Sequence, residues 1–264
     1  MISLLIFIIG LFFGSFLNVL VDRIPRGEAF VKGHSHCEFC KKELKWLDLI
    51  PVLSFLSIKG KCRYCKHKLS VLYPTIEIST GILFAATYWF VISNSLIINL
   101  SSLITFIYYL LIFSSFIVIF FTDLKSGIIP DKILLFAIGV AAFYLLFINP
   151  QSLIINLLSG VAAFLFFVII SVVFSMLTKK SAIGGGDIKL AFLLGLFLGF
   201  PNIIISFYIA FLTGGFLGII LILWRKKEFR KATLPFGPFL ITGAVISLLW
   251  GNSIYLQVLH FLGA

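Results

Sequence analysis

Eight apolar runs, each near or above the length needed to cross a bilayer, leave this chain few ways to fold. They lie at about 2–21, 73–92, 97–121, 133–148, 153–177, 188–200, 202–224 and 237–256. A helix needs roughly 20 apolar residues to span hydrocarbon, and only helices and closed barrels satisfy their backbone groups there. No periodic polar face divides the runs, as a soluble helical core would require. The expected fold is therefore all-α and polytopic, with about eight transmembrane helices and the lipid bilayer as solvent. Two runs, 133–148 and 188–200, are short for the task. The first run could be taken for a secretory signal, but it has no basic leading region and no Ala-x-Ala site, so it reads as a retained span.

The charges report the topology. All 21 Lys and Arg fall in or beside the connectors 22–72, 122–132, 178–187 and 225–236, and none lies in the alternate connectors or the C-terminal tail. Basic connectors stay in the cytoplasm, which places both termini outside it. Any other parity between Val21 and Arg225 would push a basic loop to the far side. The net charge of +11 is thus mainly a topology signal. Basic residues scattered over short loops, with no accompanying aromatic stripe, argue against nucleic acid as a partner.

The only sizeable polar segment is 22–72, and it holds all four cysteines, in Cys37-Glu38-Phe39-Cys40 and Cys62-Arg63-Tyr64-Cys65. Two C-x-x-C knuckles separated by 21 residues suit a tetrahedral four-thiolate zinc site. A metal would staple a loop too small to build a core. Disulfides or redox thiols are the alternative, and a cytoplasmic loop disfavours disulfides. His34, His36 and His67 are near enough to substitute as ligands, although solvated histidines are commoner. Four thiolates leave no open position, so the zinc is structural and not catalytic. The chain then divides into a first helix (1–21), a cytoplasmic zinc-binding loop domain (22–72) and a seven-helix core (73–264).

Acids are scarce beyond that loop: Glu77, Asp123, Asp131, Asp187 and Glu228 are all that remain. Asp187 follows Gly184-Gly185-Gly186 and enters an apolar run, where a carboxylate is costly and marks function. Gly184 and Gly186 remove bulk that would keep a substrate backbone from Asp187. Glu228 lies in a basic cluster as a solvated ion partner. Asp131 starts a span, where capping and a direct role in binding are both open. Asp123 ends the third span at the membrane face where Asp187 begins the sixth. If the two meet, like charge keeps one protonated and the pair can act as an acid–base dyad. The alternatives are two unrelated helix-end aspartates or an ion-pathway pair.

Six ordered blocks sharpen this picture. They are Gly10-Leu11-Phe12-Phe13-Gly14-Ser15-Phe16-Leu17-Asn18-Val19 with Arg23-Ile24-Pro25; the paired knuckles; Ile50-Pro51-Val52-Leu53-Ser54 and Leu72-Tyr73-Pro74 with Glu77; Asp123-Leu124 with Ile129-Pro130-Asp131; Gly184 to Leu190; and Pro235-Phe236-Gly237-Pro238-Phe239. Together they resemble the type IV prepilin peptidases over nearly the whole chain. The resemblance implies an aspartic endopeptidase of the bacterial inner membrane, acting on prepilins and pseudopilins. Such enzymes remove a short basic leader after a glycine at the cytoplasmic face, with Asp123 and Asp187 in the catalytic positions. Many members also methylate the new N-terminus with S-adenosylmethionine, an activity associated with the cysteine-containing loop. No nucleotide-type glycine fingerprint marks a methyl-donor site here, so the residues that would bind that cofactor are unassigned.

A basic cytoplasmic surface would not attract a basic leader, and Asp131, Glu77 and Asp22 are the acids that could. Asn18 is a candidate interhelical hydrogen-bonder, Lys189 a charge balance or a snorkelling side chain, and Gly214, Gly215 and Gly218 a packing stripe. A transporter or channel with functional intramembrane carboxylates is the competing class. Clustering of the acids at one face, with none at mid-membrane, counts against it. Oligomeric state is not readable from the chain.

Overall fold

The computed structural model describes residues 1–29, 35–93, 99–178, 184–224 and 235–262. It is almost wholly helical, and its helices fall on the eight apolar runs. Among the described residues six helices are long and apolar enough to cross a membrane, beginning at Ile2, Leu72, Leu100, Pro150, Asn202 and Gly237. The helices on the two short runs have 17 and 14 residues and do not reach that length. The chain packs as two compact units, Met1–Thr122 and Asp123–Ala264.

The first unit pairs α1 (Ile2–Arg23) with α3 (Leu72–Tyr88), which runs on through a π-helical turn at Trp89–Ser93. Their backbones touch. A Cβ on Gly10 would stand 2.7 Å from Gly81 Cα, and one on Gly14 2.7 Å from Glu77 Cα. In hydrocarbon, such close approach through small residues is what holds helices together. Polar glue adds to it: the Asn18 side-chain amide donates to the Tyr73 carbonyl at 3.2 Å and to Glu77 Oε1 at 3.3 Å. Asn18 is thus the interhelical bonder expected from its position.

Glu77 also reaches out of the helix pair. Its Oε2 accepts the Val52 N–H at 2.8 Å, tying the cysteine-containing loop back against α3 just before the short helix α2 (Leu53–Ser57). Val52 itself has φ 60° and ψ −50°, and the Leu53 N–H donates to the Pro51 carbonyl. That is a γ-turn of the strained kind, rare for a β-branched residue and kept only where the surroundings impose it. Replacing Glu77 with Ala leaves the Val52 N–H and the buried Asn18 amide without this acceptor, at a cost of about 1–3 kcal/mol. A lowered unfolding temperature in detergent is the expected reading, with Glu77→Gln milder because it keeps an acceptor for Val52.

Most of α4 (Leu100–Ser126) belongs to this unit, and its last residues to the next. Asn99 caps it, its Oδ1 accepting the Ser102 N–H at 2.8 Å while Ser102 Oγ accepts the Asn99 N–H.

In the second unit α7 (Gly185–Leu198) packs against α5 (Asp131–Phe147), α6 (Pro150–Thr178), α8 (Asn202–Trp224) and α9 (Gly237–Leu262). From Leu190 to Gly199 every residue but Phe192 is buried. A helix apolar on all sides is what a fully enclosed position demands. Gly160 of α6 and Gly195 of α7 cross backbone to backbone, so that a Cβ on Gly195 would lie 2.6 Å from Gly160 Cα. Asn156 donates to the Leu196 carbonyl at 2.9 Å beside that crossing. Gly199, with φ 66°, turns the chain out of α7 and into α8 three residues later. Among the described residues the glycines of α8 make no close helix crossing: nothing lies within 4 Å of a Cβ on Gly215 or Gly218, and Gly214 meets Phe236 and Phe239.

Two boundaries matter for the site. Helix α4 extends past its apolar run, so Asp123 lies inside its last turns. Helix α7 starts at Gly185, three residues ahead of the expected span, so Asp187 is in its first turn. Gly184 takes the cap position in an extended conformation (φ −67°, ψ 141°), and the open helix end favours a carboxylate nearby.

Candidate active site and metal centre

Asp123 is buried near the end of α4, beside Thr122, which is wholly enclosed. Its Oδ2 accepts the Gly237 backbone N–H, the first of α9, at 2.9 Å. A Cβ on Gly237 would stand 2.6 Å from that oxygen. Only glycine lets the chain donate there without pushing the carboxylate aside.

Asp187 approaches the same place from α7. Its carboxyl group lies within electrostatic reach of Asp123, and its Oδ1 is buried with no hydrogen-bond partner. Ile129 joins the two, its side chain 2.9 Å from where a Gly186 Cβ would be and 3.4 Å from where a Gly237 Cβ would be. Two carboxyl groups, one enclosed and one with an unsatisfied oxygen, converge at adjacent ends of α4 and α7. Two carboxyl groups that close can in general share a proton, and can hold a water and a carbonyl between a base and an acid.

The three glycines before Asp187 differ in surroundings. At Gly186 the space for a side chain is filled by Ile129. Among the described residues, the only group near a Gly184 Cβ is the Asp187 Oδ2 itself, at 3.2 Å, and none lies within 4 Å of a Gly185 Cβ. The open backbone is therefore Gly184–Gly185. Gly185 carried no separate signal in the sequence, because three adjacent glycines look alike there.

Asp131 is exposed, unlike buried Asp123 and partly buried Asp187. It occupies the first turn of α5 without a side-chain capping bond and forms an ion pair with Lys189 of α7 at 2.7 Å. Both side chains are half exposed or more, so the pair joins α5 to α7 at the surface of this unit. Asp22 accepts the Tyr73 hydroxyl at 2.9 Å, and Glu77 is used inside the helix pair. Gly237 was missed as a functional residue, since a backbone donor leaves no side-chain signature.

The cysteines form the second centre, within the first unit. Each knuckle is a tight turn closed by the same bonds. Cys37 N–H donates to Lys42 and Lys41 N–H to Cys37; Cys62 N–H donates to His67 and Lys66 N–H to Cys62. Lys41 and Lys66 take the left-handed conformation that each turn needs, at φ 56° and 58°. The four sulfurs lie within 4.8 Å of one another, with Cys37 and Cys65 at 3.9 Å. Tetrahedral zinc–thiolate bonds of about 2.3 Å put sulfurs about 3.8 Å apart, so the cluster fits such an ion. A disulfide needs about 2.05 Å, and all four thiols are free.

The electrostatics agree with a cation site. Burial alone would raise the Cys62 thiol, but the backbone N–H groups of Cys65 and Tyr64 and the nearby sulfurs bring it down to about 7. At Cys65 the His67 N–H favours the thiolate, yet desolvation and the three other sulfurs push it up to about 11. Four thiolates this close require positive charge between them. His67 is not among the ligand atoms and stacks on Phe39 at 3.4 Å between ring centroids. His36 bridges to Glu43 in the first turn, and His34 lies outside the described residues. Asp48, almost fully enclosed, binds Arg63 at 2.8 Å and the Tyr64 hydroxyl at 3.2 Å, which fixes the second knuckle to the intervening loop.

The chain is similar to known proteins along most of its length. The Bacterial Peptidase A24 N-terminal domain matches residues 8–91, and the Type IV leader peptidase family matches residues 110–219. A prepilin leader peptidase/N-methyltransferase of Bacillus subtilis is 35% identical over 250 residues, covering 95% of each chain. A protein of that name from Aeromonas hydrophila is 30% identical, covering 95% of this chain and 91% of its own. One from Stutzerimonas stutzeri is 27% identical, covering 96% and 92%. No solved structure matches the chain. With two aspartates converging at helix ends, a four-cysteine cluster between the first two membrane helices and likeness along almost its full length, this multi-pass membrane protein belongs to the prepilin leader peptidase/N-methyltransferase family.

Proposed function

We propose that the protein is an aspartic endopeptidase of the bacterial cytoplasmic membrane that removes the leader of prepilins and pseudopilins after a glycine. The observation that carries this reading is the convergence of the Asp123 and Asp187 carboxyl groups in a chain homologous to such enzymes over 95% of its length. One carboxylate takes a proton from water as it attacks the scissile carbonyl. The other, protonated, donates to the carbonyl oxygen; as the C–N bond breaks, the proton taken from water passes to the leaving amine and the second aspartate recovers its own from the tetrahedral intermediate. The Gly237 N–H holds Asp123 Oδ2, which leaves its other oxygen for the water. The open Gly184–Gly185 backbone is where an extended substrate strand can lie beside Asp187. Asp131, which Lys189 partly neutralises, is an accessible acid for the basic leader. The basic connectors support a site at the cytoplasmic face with both termini outside. No observation favours the transporter reading.

The second activity in the family's name is methylation of the exposed N-terminus, with S-adenosylmethionine as the donor. We assign zinc to Cys37, Cys40, Cys62 and Cys65, where it shapes the loop and takes no part in proteolysis. Purified protein and a synthetic prepilin test the whole reading. Mass analysis should show cleavage after the leader's terminal glycine, and addition of S-adenosylmethionine should add one methyl group to the mature fragment. Intact substrate would overturn the first activity, and an unmethylated product the second. Metal analysis should return about one zinc per chain. Cys62→Ser should lose the zinc and expose the loop to protease, while leader cleavage persists.

A further inference from the structure

The loop that carries the cysteines turns an apolar face outward. Trp46 is 73% exposed, Leu53 66% and Leu56 64%, with Leu47 and Leu49 exposed beside them. Five large apolar side chains within eleven residues of a polar loop, all open, make a patch that needs a partner. Its placement says which. Val52, in the middle of this segment, is held by Glu77, and Glu77 lies five residues, about 7.5 Å of helical rise, inside α3. Its side chain leans back toward the start of the helix, so the Val52 backbone sits near the first turns of α3 and not out in solution. The span that begins at Leu72 has 21 residues, about 32 Å, which matches the hydrocarbon thickness with little to spare. The start of α3 is therefore a membrane boundary.

Charge points the same way. Residues 41–68 hold eight Lys and Arg against two acids, Glu43 and Asp48, and Asp48 is enclosed and paired with Arg63. Lys45, Lys59 and Lys61 are exposed at the two ends of the apolar segment. Tryptophan and leucine at the level of the headgroups, flanked by lysines, are the composition of an interfacial element. Anionic lipids attract such a cluster.

We propose that Trp46–Ser57 is a membrane-docking element, its Trp46, Leu47, Leu49, Leu53 and Leu56 side chains entering the headgroup region of the protein's own bilayer and its lysines meeting anionic lipid phosphates. The Glu77–Val52 bond sets the depth of the element, and the knuckles are thereby laid along the membrane surface. Much of the loop's positive charge is then directed at lipid, which removes the conflict between a basic loop and a basic leader.

The test uses the full chain with Trp46 as its sole tryptophan (Trp89→Phe, Trp224→Phe, Trp250→Phe), reconstituted into phosphatidylcholine vesicles with and without phosphatidylglycerol. Trp46 emission should be blue-shifted, quenched by lipids brominated near the headgroup and shielded from aqueous iodide. The triple change Lys45→Gln, Lys59→Gln, Lys61→Gln, which leaves the apolar face intact, should erase the difference between anionic and neutral vesicles. Leu53→Asp with Leu56→Asp should shift the emission to the red and lose the bromolipid quenching. Water-like emission quenched by iodide in the unaltered loop would overturn the proposal. So would blue-shifted emission that neither quencher reaches, which would mean that protein covers the face.

Discussion

Changing Asp187 to Asn is expected to lower the rate of leader cleavage at least about a thousandfold, and Asp123→Asn to do the same. Asparagine keeps the shape and the polar contacts of each side chain but can neither accept a proton nor supply one. Groups that act as a unit do not add, so the double variant should be no slower than the worse of the two singles. Folding is not expected to suffer: the amide oxygen of an asparagine at position 123 would still accept the Gly237 N–H, and Asp187 Oδ1 has no partner to lose. The measurement is single-turnover cleavage of a synthetic prepilin, with elution profile and unfolding temperature as controls. Substantial activity in either single variant would sink the dyad.

The second large effect belongs to a residue with no side chain. Gly237→Ala places a methyl carbon 2.6 Å from Asp123 Oδ2, well inside contact distance. The neighbour cannot yield easily, because Asp123 is buried and Ile129 closes the other side. Either α9 withdraws its N–H or the carboxylate moves, and a displacement near 1 Å costs about a hundredfold in rate. The fall should appear in kcat, with KM for the prepilin nearly constant, since the substrate's apolar helix and leader bind elsewhere. Alanine retains the N–H, so such a loss would be steric and would mark Gly237 as a positioning residue. Unchanged kcat would show that the pocket can relax.

Much of this was legible in the residues alone. Apolar runs of membrane length became helices because nothing else satisfies a backbone in hydrocarbon. Counting connectors put Asp123 and Asp187 at one membrane face and left open whether they meet. The knuckles were readable because a tetrahedral ion demands thiolates in pairs from tight turns. What the residues hid were bonds from the backbone. The Val52 N–H to Glu77 and the Gly237 N–H to Asp123 use a donor that every residue but proline carries, so no side chain announces them. The Lys189–Asp131 pair was hidden for a different reason. Each charge had a sufficient explanation at its own helix end, and only the packing of α5 on α7 brings them together. The α8 glycines misled in the other direction, since small residues permit a close crossing without requiring one.

The shortness of α7 has a consequence for water. Fourteen residues rise about 21 Å, against a hydrocarbon layer of about 30 Å. A helix bathed in lipid would have to tilt neighbours or thin the bilayer to make up the difference. Helix α7 is wrapped by four other helices and answers to none of that. Were its Gly199 end at one boundary, its Asp187 end would stop about 9 Å short of the other. Hydrolysis would consume a water molecule that lipid excludes, and a carboxylate in the first turn of so short a helix is not carried to lipid depth by helix length alone.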